Sequence, residues 1–372
     1  MKIAINCRSF INKKYTGIGR YAYQLLKSLS EIDTENQYLL YIKKGLINLN
    51  KRIPSFNVKN FTLKIDRFHH GLEKSIGTVD VYHAPSPEAV TVNNGAKIVV
   101  TVHDLIFKTF PEGHTQTSID ETERKMHNIG ERADKIICCS ENTINDLKKY
   151  FKIPDEKITL IYQGVDKNIF YPINAEESKL AERVIKKRGI KDPFILSVGT
   201  IEPRKNLENI LYSFDKLRAR GKFKGKLAVI GMEGWLSEGV EGLIKKLELK
   251  EHVVFLGYLT DQELRYFYNK AEAFVFPSFY EGFGFPIIEA FCCGTPVVTS
   301  NVSSCPEVAK DSALLVDPYS SEDISEAIAR ILHDPKLKRS LVEKGFRRGS
   351  DFSFRKTAQK TLAVYNEVCQ KQ

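Results

Sequence analysis

The stretch Pro277 to Glu289, PSFYEGFGFPIIE, joins a β-like run, AFVFP, to a helical one, IIEAF. An aromatic and β-branched run, two glycines and then a proline read as strand, turn and helix start. Gly282 and Gly284 let the backbone come close to a ligand. Pro286 suits the first helical turn, where its missing N–H costs nothing. The first-turn N–H groups and the helix dipole favour a phosphate there. Glu281 precedes the helix and Glu289 falls about one turn into it. A carboxylate accepts two hydrogen bonds from a vicinal diol, so either glutamate suits a ribose or a hexose. Taken alone, a Gly-Pro turn with two solvated glutamates explains the stretch equally well.

The same strand–turn–helix alternation extends outward in both directions. Upstream, the strand candidates are KIAIN, QYLLYI, VKNFTL, VDVYHA, KIVVTV, KIICCS and KITLIY, with helical stretches at Gly19–Leu29 and Asn142–Phe151. Ser140 is a good N-cap for the second of these. A second alternation runs through PFILSVG, KLAVIG, HVVFLG, AFVFPS, PVVTS and ALLV, with helices expected at Asn206–Leu217, Asp261–Asn269 and Gly284–Cys293. Alternating β and α elements build parallel sheets, so the fold class is α/β with two doubly wound, Rossmann-like domains. The QGVD turn and Pro172 place the boundary near residue 168, giving domains 1–168 and 169–353. Two such domains facing each other would form a cleft, a common ligand site. A last helix, Phe354 to Gln370, has no strand after it.

The 372 residues suit two cores, and 42% hydrophobic with 27% charged residues is ordinary globular composition. No apolar run reaches the roughly 20 residues that span a bilayer, and the N-terminus lacks a secretory signal pattern. A cytoplasmic location is expected. The seven cysteines agree: the adjacent pairs Cys138-Cys139 and Cys292-Cys293 suit buried apolar packing rather than disulfides or zinc. The net charge of +10 gathers in Arg183–Lys191 and Lys216–Lys226. Such stretches are either solvated helix ends or an attraction for a diphosphate, a lipid-linked acceptor or the membrane's inner face. No nucleic-acid-binding signature accompanies them, so nucleic acid is not an expected partner.

Three further segments carry chemistry. In SVGTIEPRKN, Arg204 and Lys205 are adjacent, so their side chains diverge and suit gripping one diphosphate from two sides. A charged helix start is common for structural reasons alone, but two cations there oppose the macrodipole at a small cost in stability, which favours a functional role. In YTGIGRYA, Gly17 and Gly19 give a flexible loop before a helix. The segment formally meets G-x-G-x-x-A, leaving an NAD(P)-dependent oxidoreductase open, although NKKYT intervenes after the strand and QYLLYIKK ends in lysines. His103-Asp104 ends strand KIVVTV, the edge that faces a ligand in such folds, although most lone histidines are satisfied surface residues. His69, His70, His83, His114 and His127 show no zinc-ligand spacing, so no metal site is expected.

These four segments, in this order, resemble glycosyltransferase family 4, the retaining group 1 enzymes with the two-domain GT-B fold. EGFGFPIIE is similar to that family's Glu-x7-Glu motif, and the block PSFYEGFGFPIIEAFCCGTPVVTSNVSSCPEV matches almost throughout. The resemblance covers essentially the whole chain. It implies that Glu289 binds the donor ribose and Glu281 the transferred sugar, with the backbone of Gly282, Phe283 and Gly284 supporting sugar and phosphate. Arg204 and Lys205 would neutralise the leaving diphosphate, the Gly17–Gly19 loop would close over it, and His103 would lie against the donor sugar. The resemblance makes 1–168 the acceptor-side domain and 169–353 the nucleotide-sugar-binding one, with the final helix, 354–372, packing back on the first. There is no Asp-x-Asp metal handle, so the resemblance implies a metal-independent, cofactor-free transfer from a nucleotide diphosphate sugar, with GDP-mannose favoured. The acceptor would be a glycan or lipid-linked glycan of surface polysaccharide assembly, with a possible peripheral membrane contact. Retention in the family is described as front-face displacement, the leaving phosphate taking the acceptor proton. A non-catalytic sugar-nucleotide-binding scaffold is the remaining alternative.

Overall fold

The computed structural model describes residues 1–8, 17–43, 56, 58–66, 72–92, 95–232 and 237–370. The chain divides into two units, Met1–Gly164 with Ser353–Gln372, and Val165–Phe352, where the sequence placed the divisions at 168 and 353. Tyr15 and Thr16 of the glycine loop, His69 and His70 lie outside the described residues.

Among the described residues the first unit has seven strands: β1 (Lys2–Asn6), β2 (Gln37–Lys43), β3 (Phe61–Asp66), β4 (Val81–Ala84), β5 (Lys97–Val102), β6 (Lys135–Cys138) and β7 (Ile158–Leu160). Their order is β3-β2-β1-β4-β5-β6-β7 and every pairing is parallel. Ile3 pairs with Tyr38 on one side and Val81 on the other, so the strand order reverses at β1 and β4. Runs such as KIVVTV can be apolar throughout because a parallel sheet is covered on both faces. Val100, Ile136, Met126 and Leu147 pack in one continuous core. The Ser140 hydroxyl accepts from Thr143 N–H at 3.1 Å and so starts the helix Glu141–Phe151. The last helix, Phe354–Gln370, packs on the helix Gly17–Ile32 of this unit. The returning backbone passes so close that a Cβ on Gly164 would sit 2.1 Å from Phe354 N.

The second unit holds β8 (Phe194–Val198), β9 (Lys226–Ile230), β10 (Val253–Phe255), β11 (Ala273–Phe276), β12 (Val297–Ser300) and β13 (Leu314–Val316). They form a parallel sheet in the order β10-β9-β8-β11-β12-β13, reversing between β8 and β11. Ile195, Leu227, Val275 and Val298 bury against Phe214 and Ile328 from flanking helices. Capping boxes start two helices: Asn174 with Glu177 for Ala175–Lys187, and Thr260 with Glu263 for Asp261–Lys270. The seven cysteines form no disulfide, and all but Cys369 are buried. Among the described residues, no helix is long and apolar enough to cross a membrane.

Candidate active site

Ligands of open parallel sheets bind beyond the carboxyl ends of the strands where the order reverses. In the second unit that point is flanked by the loops after β8 and β11. Arg204 and Lys205 follow β8, and Glu281 to Gly284 follow β11. Their side chains meet. Arg204 Nη1 donates to Glu281 Oε2 at 2.9 Å and Lys205 Nζ to Glu281 Oε1 at 2.5 Å. Arg204 Nη2 lies 2.6 Å from Glu202 Oε1, so two cations are matched by two carboxylates. Burial alone would raise the Glu281 carboxyl, but the charges of Arg204 and Lys205 outweigh it and hold it at about 2. Burial draws the Lys205 ammonium below its ordinary range, against the pull of Glu281. Its Nζ also sits 4.8 Å from the centre of the Phe276 ring.

The placement of the two cations corrects one expectation. They do not open an α-helix. They occupy a 3-10 turn, Pro203–Lys205, and Asn206, left-handed at φ 61°, separates it from the helix Leu207–Ala219. Glu281, rather than a helix dipole, sets their electrostatics. The Asn206 amide donates to the carbonyls of Pro277 at 2.8 Å and Pro318 at 2.6 Å, tying the turn to the loops after β11 and β13.

The loop after β11 is clamped by two serines. Glu281 N–H donates to Ser303 Oγ at 2.7 Å, and Ser303 Oγ in turn donates to Glu281 O at 2.7 Å. Ser304 Oγ lies 3.0 Å from the carbonyls of both Glu281 and Phe283. Gly284, at φ 100° and ψ 53°, is the N-cap of the helix Phe285–Cys292, a conformation that favours glycine. Pro286 stands in the first turn of that helix. Glu289 lies deeper in it, 3% exposed, and accepts from the Tyr268 hydroxyl at 3.0 Å. Glu202, Tyr268, Ser303 and Ser304 thus join the site without having been singled out in the sequence. Ser303 and Ser304 lie inside the quoted block, but only the pairing of β11 with β12 brings them to Glu281.

In the first unit the structure corrects the reading of Gly17 and Gly19 as a loop before a helix: both lie in a helix, whose Tyr21 meets His103. Gly17 is the exposed first residue of the helix Gly17–Ile32, and Gly19 is buried within it. Tyr21 of that helix meets the His103 ring edge-on at 4.9 Å. The His103 ring is buried and both its nitrogens are engaged. Nε2 lies 2.8 Å from Pro85 O and Nδ1 2.7 Å from Gln163 Nε2. A carbonyl only accepts, so Nε2 carries the proton and Nδ1 accepts from the amide. Burial lowers the pKa of this ring, keeping it neutral. At the reversal point of this sheet, Asn6 Nδ2 donates to Glu88 Oε2 at 2.7 Å and Tyr82 Oη at 3.1 Å, and Arg8 lies 3.3 Å from Glu88. None of these four stood out in the sequence.

Of the two basic stretches, Arg188 pairs with Glu263, and Lys216 and Arg220 both pair with Glu322. Among the described residues, no group of three or more His, Cys, Asp or Glu is arranged to hold a metal ion.

Residues 15–168 match the family model for Glycosyltransferase Family 4, and residues 179–348 that for Glycosyl transferases group 1. The chain belongs to glycosyltransferase family 4. This family-4 enzyme is 28% identical to O-antigen chain mannosyltransferase B of Escherichia coli, over 94% of this chain and 96% of that protein. It is 30% identical to O-antigen chain mannosyltransferase RfbU of Salmonella typhimurium, over 62% of this chain and 60% of that protein. Its fold is GT-B: a sucrose-phosphate synthase from Thermosynechococcus elongatus superposes with a TM-score of 0.80 at 21% identity, each chain covered in full. The chain is therefore a glycosyltransferase, and the oxidoreductase reading of GIGRYA is set aside.

Proposed function

We propose that this glycosyltransferase is a retaining hexosyltransferase of surface polysaccharide assembly. It would take its sugar from a nucleotide diphosphate donor, with GDP-mannose favoured, and pass it to a glycan or lipid-linked glycan. The observation that carries the reading is the meeting of Arg204, Lys205 and Glu281 at the reversal point of the second sheet. The mannosyltransferase names of the O-antigen relatives support the donor and the pathway class.

The quartet of Glu202, Arg204, Lys205 and Glu281 is balanced as it stands. On donor binding, diphosphate oxygens replace the Glu281 carboxylate at the cations, and Glu281 turns to the hydroxyls of the sugar. As the glycosidic bond breaks, charge grows on the leaving phosphate, where two cations already fixed in a dry site stabilise it most. The backbone of Gly282, Phe283 and Gly284 supports phosphate and sugar, and Glu289 grips the ribose. Gly17 and Gly19, in the first turn of the helix Gly17–Ile32, are further proposed donor-binding residues. His103, neutral with both nitrogens engaged, borders the sugar without acting as a base, which leaves the acceptor proton to the leaving phosphate. That route retains the anomeric configuration. It uses no cofactor and no metal, since the cations meet the charge. Exposed Lys187, Lys191, Lys222 and Lys224 support attraction to an anionic lipid carrier or membrane face.

The test is turnover of GDP-mannose with a mannoside acceptor in excess EDTA, followed by proton NMR of the product. The expected result is an α-linked product at an undiminished rate. A β-linkage overturns retention. Loss in EDTA restored by magnesium overturns metal independence. Turnover with another sugar nucleotide alone overturns only the donor.

A further inference from the structure

We propose that a cavity in the second unit, separate from the Arg204–Lys205–Glu281 cluster, is a monosaccharide subsite that holds one pyranose ring of a glycan chain. It deepens the glycosyltransferase reading and does not depend on which donor is used. The cavity measures about 210 Å³ and opens between the 3-10 turn after β8, the helix Leu207–Ala219 and the loop after β11. Pockets for drug-sized ligands run to about 300–1,000 Å³, so this one takes a single ring and not a nucleotide sugar.

Its lining is divided by chemistry. Leu207, Val240 and Phe279 make the apolar wall, and Glu202, Glu208 and Asn209 the polar one. A pyranose has the same two sides: a C–H face that packs on aromatic and aliphatic carbon, and vicinal hydroxyls that donate to oxygen acceptors. The polar groups present acceptors. Glu208 makes no hydrogen bond or ion pair among the described residues. Asn209 spends its amide hydrogens on Asn206 Oδ1 at 2.8 Å and Pro318 O at 3.1 Å, so its own amide oxygen remains as an acceptor. Two carboxylates in the lining repel a phosphate, which argues against a nucleotide here.

The aromatic wall continues outward. Tyr319 stacks on Phe279, with ring centres 4.7 Å apart and planes at 28°, yet it is 72% exposed. A ring held by stacking, with its outer face exposed, offers a platform for the next sugar of a chain. Glu202 lines the cavity and also pairs with Arg204. A glycan seated here is therefore one side chain away from the proposed donor cations.

Saturation-transfer NMR with α-linked mannobiose, maltotriose and cellotriose tests this, alongside calorimetry with GDP and UDP. At least one oligosaccharide is expected to bind. Tyr319→Ala and Glu208→Gln, both at exposed positions that leave the fold intact, should each weaken that binding at least tenfold and leave the nucleotide affinity unchanged. Val240→Phe, which fills the cavity, should abolish it. The proposal is overturned if none of the three sugars binds, or if the exposed-site variants bind them as the unaltered chain does. Nucleotide binding without sugar binding would remove the subsite and leave the donor site standing, and the reverse would remove the donor site alone.

Discussion

Lys205 depends on Glu281 more than Glu281 depends on Lys205. The ammonium, 15% exposed, has Glu281 as its carboxylate partner, whereas Glu281 is also held by Arg204, which in turn has Glu202. Removing one partner of a buried ion pair costs about 3–5 kcal/mol when the other is left uncompensated. Glu281→Ala should therefore destabilise by about that amount, since it strands Lys205. Lys205→Met keeps the packing on Phe276 and leaves Glu281 paired with Arg204, so about 1–2 kcal/mol is expected. Urea denaturation at pH 7 separates the two, and equal losses would contradict the asymmetry. The Glu281 carboxyl, held at about 2, stabilises the fold fully above the ordinary carboxylate range and loses that effect as pH falls towards 2.

At the scale of elements, the alternation of β-branched runs and amphipathic stretches revealed all thirteen strands of the described residues, because each run is a separate buried segment. The edges moved by up to three residues: VKNFTL began at Val58, whereas β3 begins at Phe61. Sheet order was not legible. No local signal says that β1 lies between β2 and β4, so Asn6, Arg8, Tyr82 and Glu88 could not be grouped. Gly284, the glutamates and the cations were legible because their backbone demand and charges are local, whereas Gly17 and Gly19, read as a loop, lie in a helix. The turn Pro203–Lys205 was misread as a helix start because Asn206 interrupts it by a long-range contact. That residue adopts φ 61° and donates to two distant carbonyls. Asn206→Ala loses both bonds and adds left-handed strain, for a total of about 3 kcal/mol. Asn206→Gly loses the bonds but not the conformation, so it should cost about 1 kcal/mol less, measurable by chemical denaturation. Glycine proving the worse substitution would mean that the turn is not held by its backbone conformation.

At the scale of the whole chain, the two units are expected to answer acid differently, because of a histidine in the first. His83, on β4, is fully buried. Its Nδ1 lies 2.6 Å from the Tyr365 hydroxyl of the last helix and its Nε2 2.9 Å from Thr101 Oγ1, and Thr101 Oγ1 is 3.3 Å from the Tyr21 hydroxyl. The ring thus ties the returning helix to β5 and to the helix that carries Gly17 and Gly19. No carboxylate is among these partners. Burial, with a smaller contribution from His103, pushes its pKa down to about 3. The unfolded chain takes up a proton near pH 6.5, but the folded one does not until about 3, so stability falls as pH drops across that window. The loss amounts to roughly 3 kcal/mol by pH 4. His103, also lowered by burial, acts in the same direction. In the second unit the Glu281 cluster keeps its stabilising effect down to the ordinary carboxylate range and weakens only below it. Hydrogen exchange by mass spectrometry, corrected for intrinsic rates, should therefore show peptides of Met1–Gly164 and Phe354–Gln370 opening as pH falls from 7 to 5, ahead of peptides from Val165–Phe352. His83→Gln supplies a neutral amide with a donor and an acceptor at the same place, and it should move the first unit's acid transition to lower pH. If the second unit opens first, or if His83→Gln leaves the transition where it was, the buried imidazole is not what makes the first unit acid-sensitive.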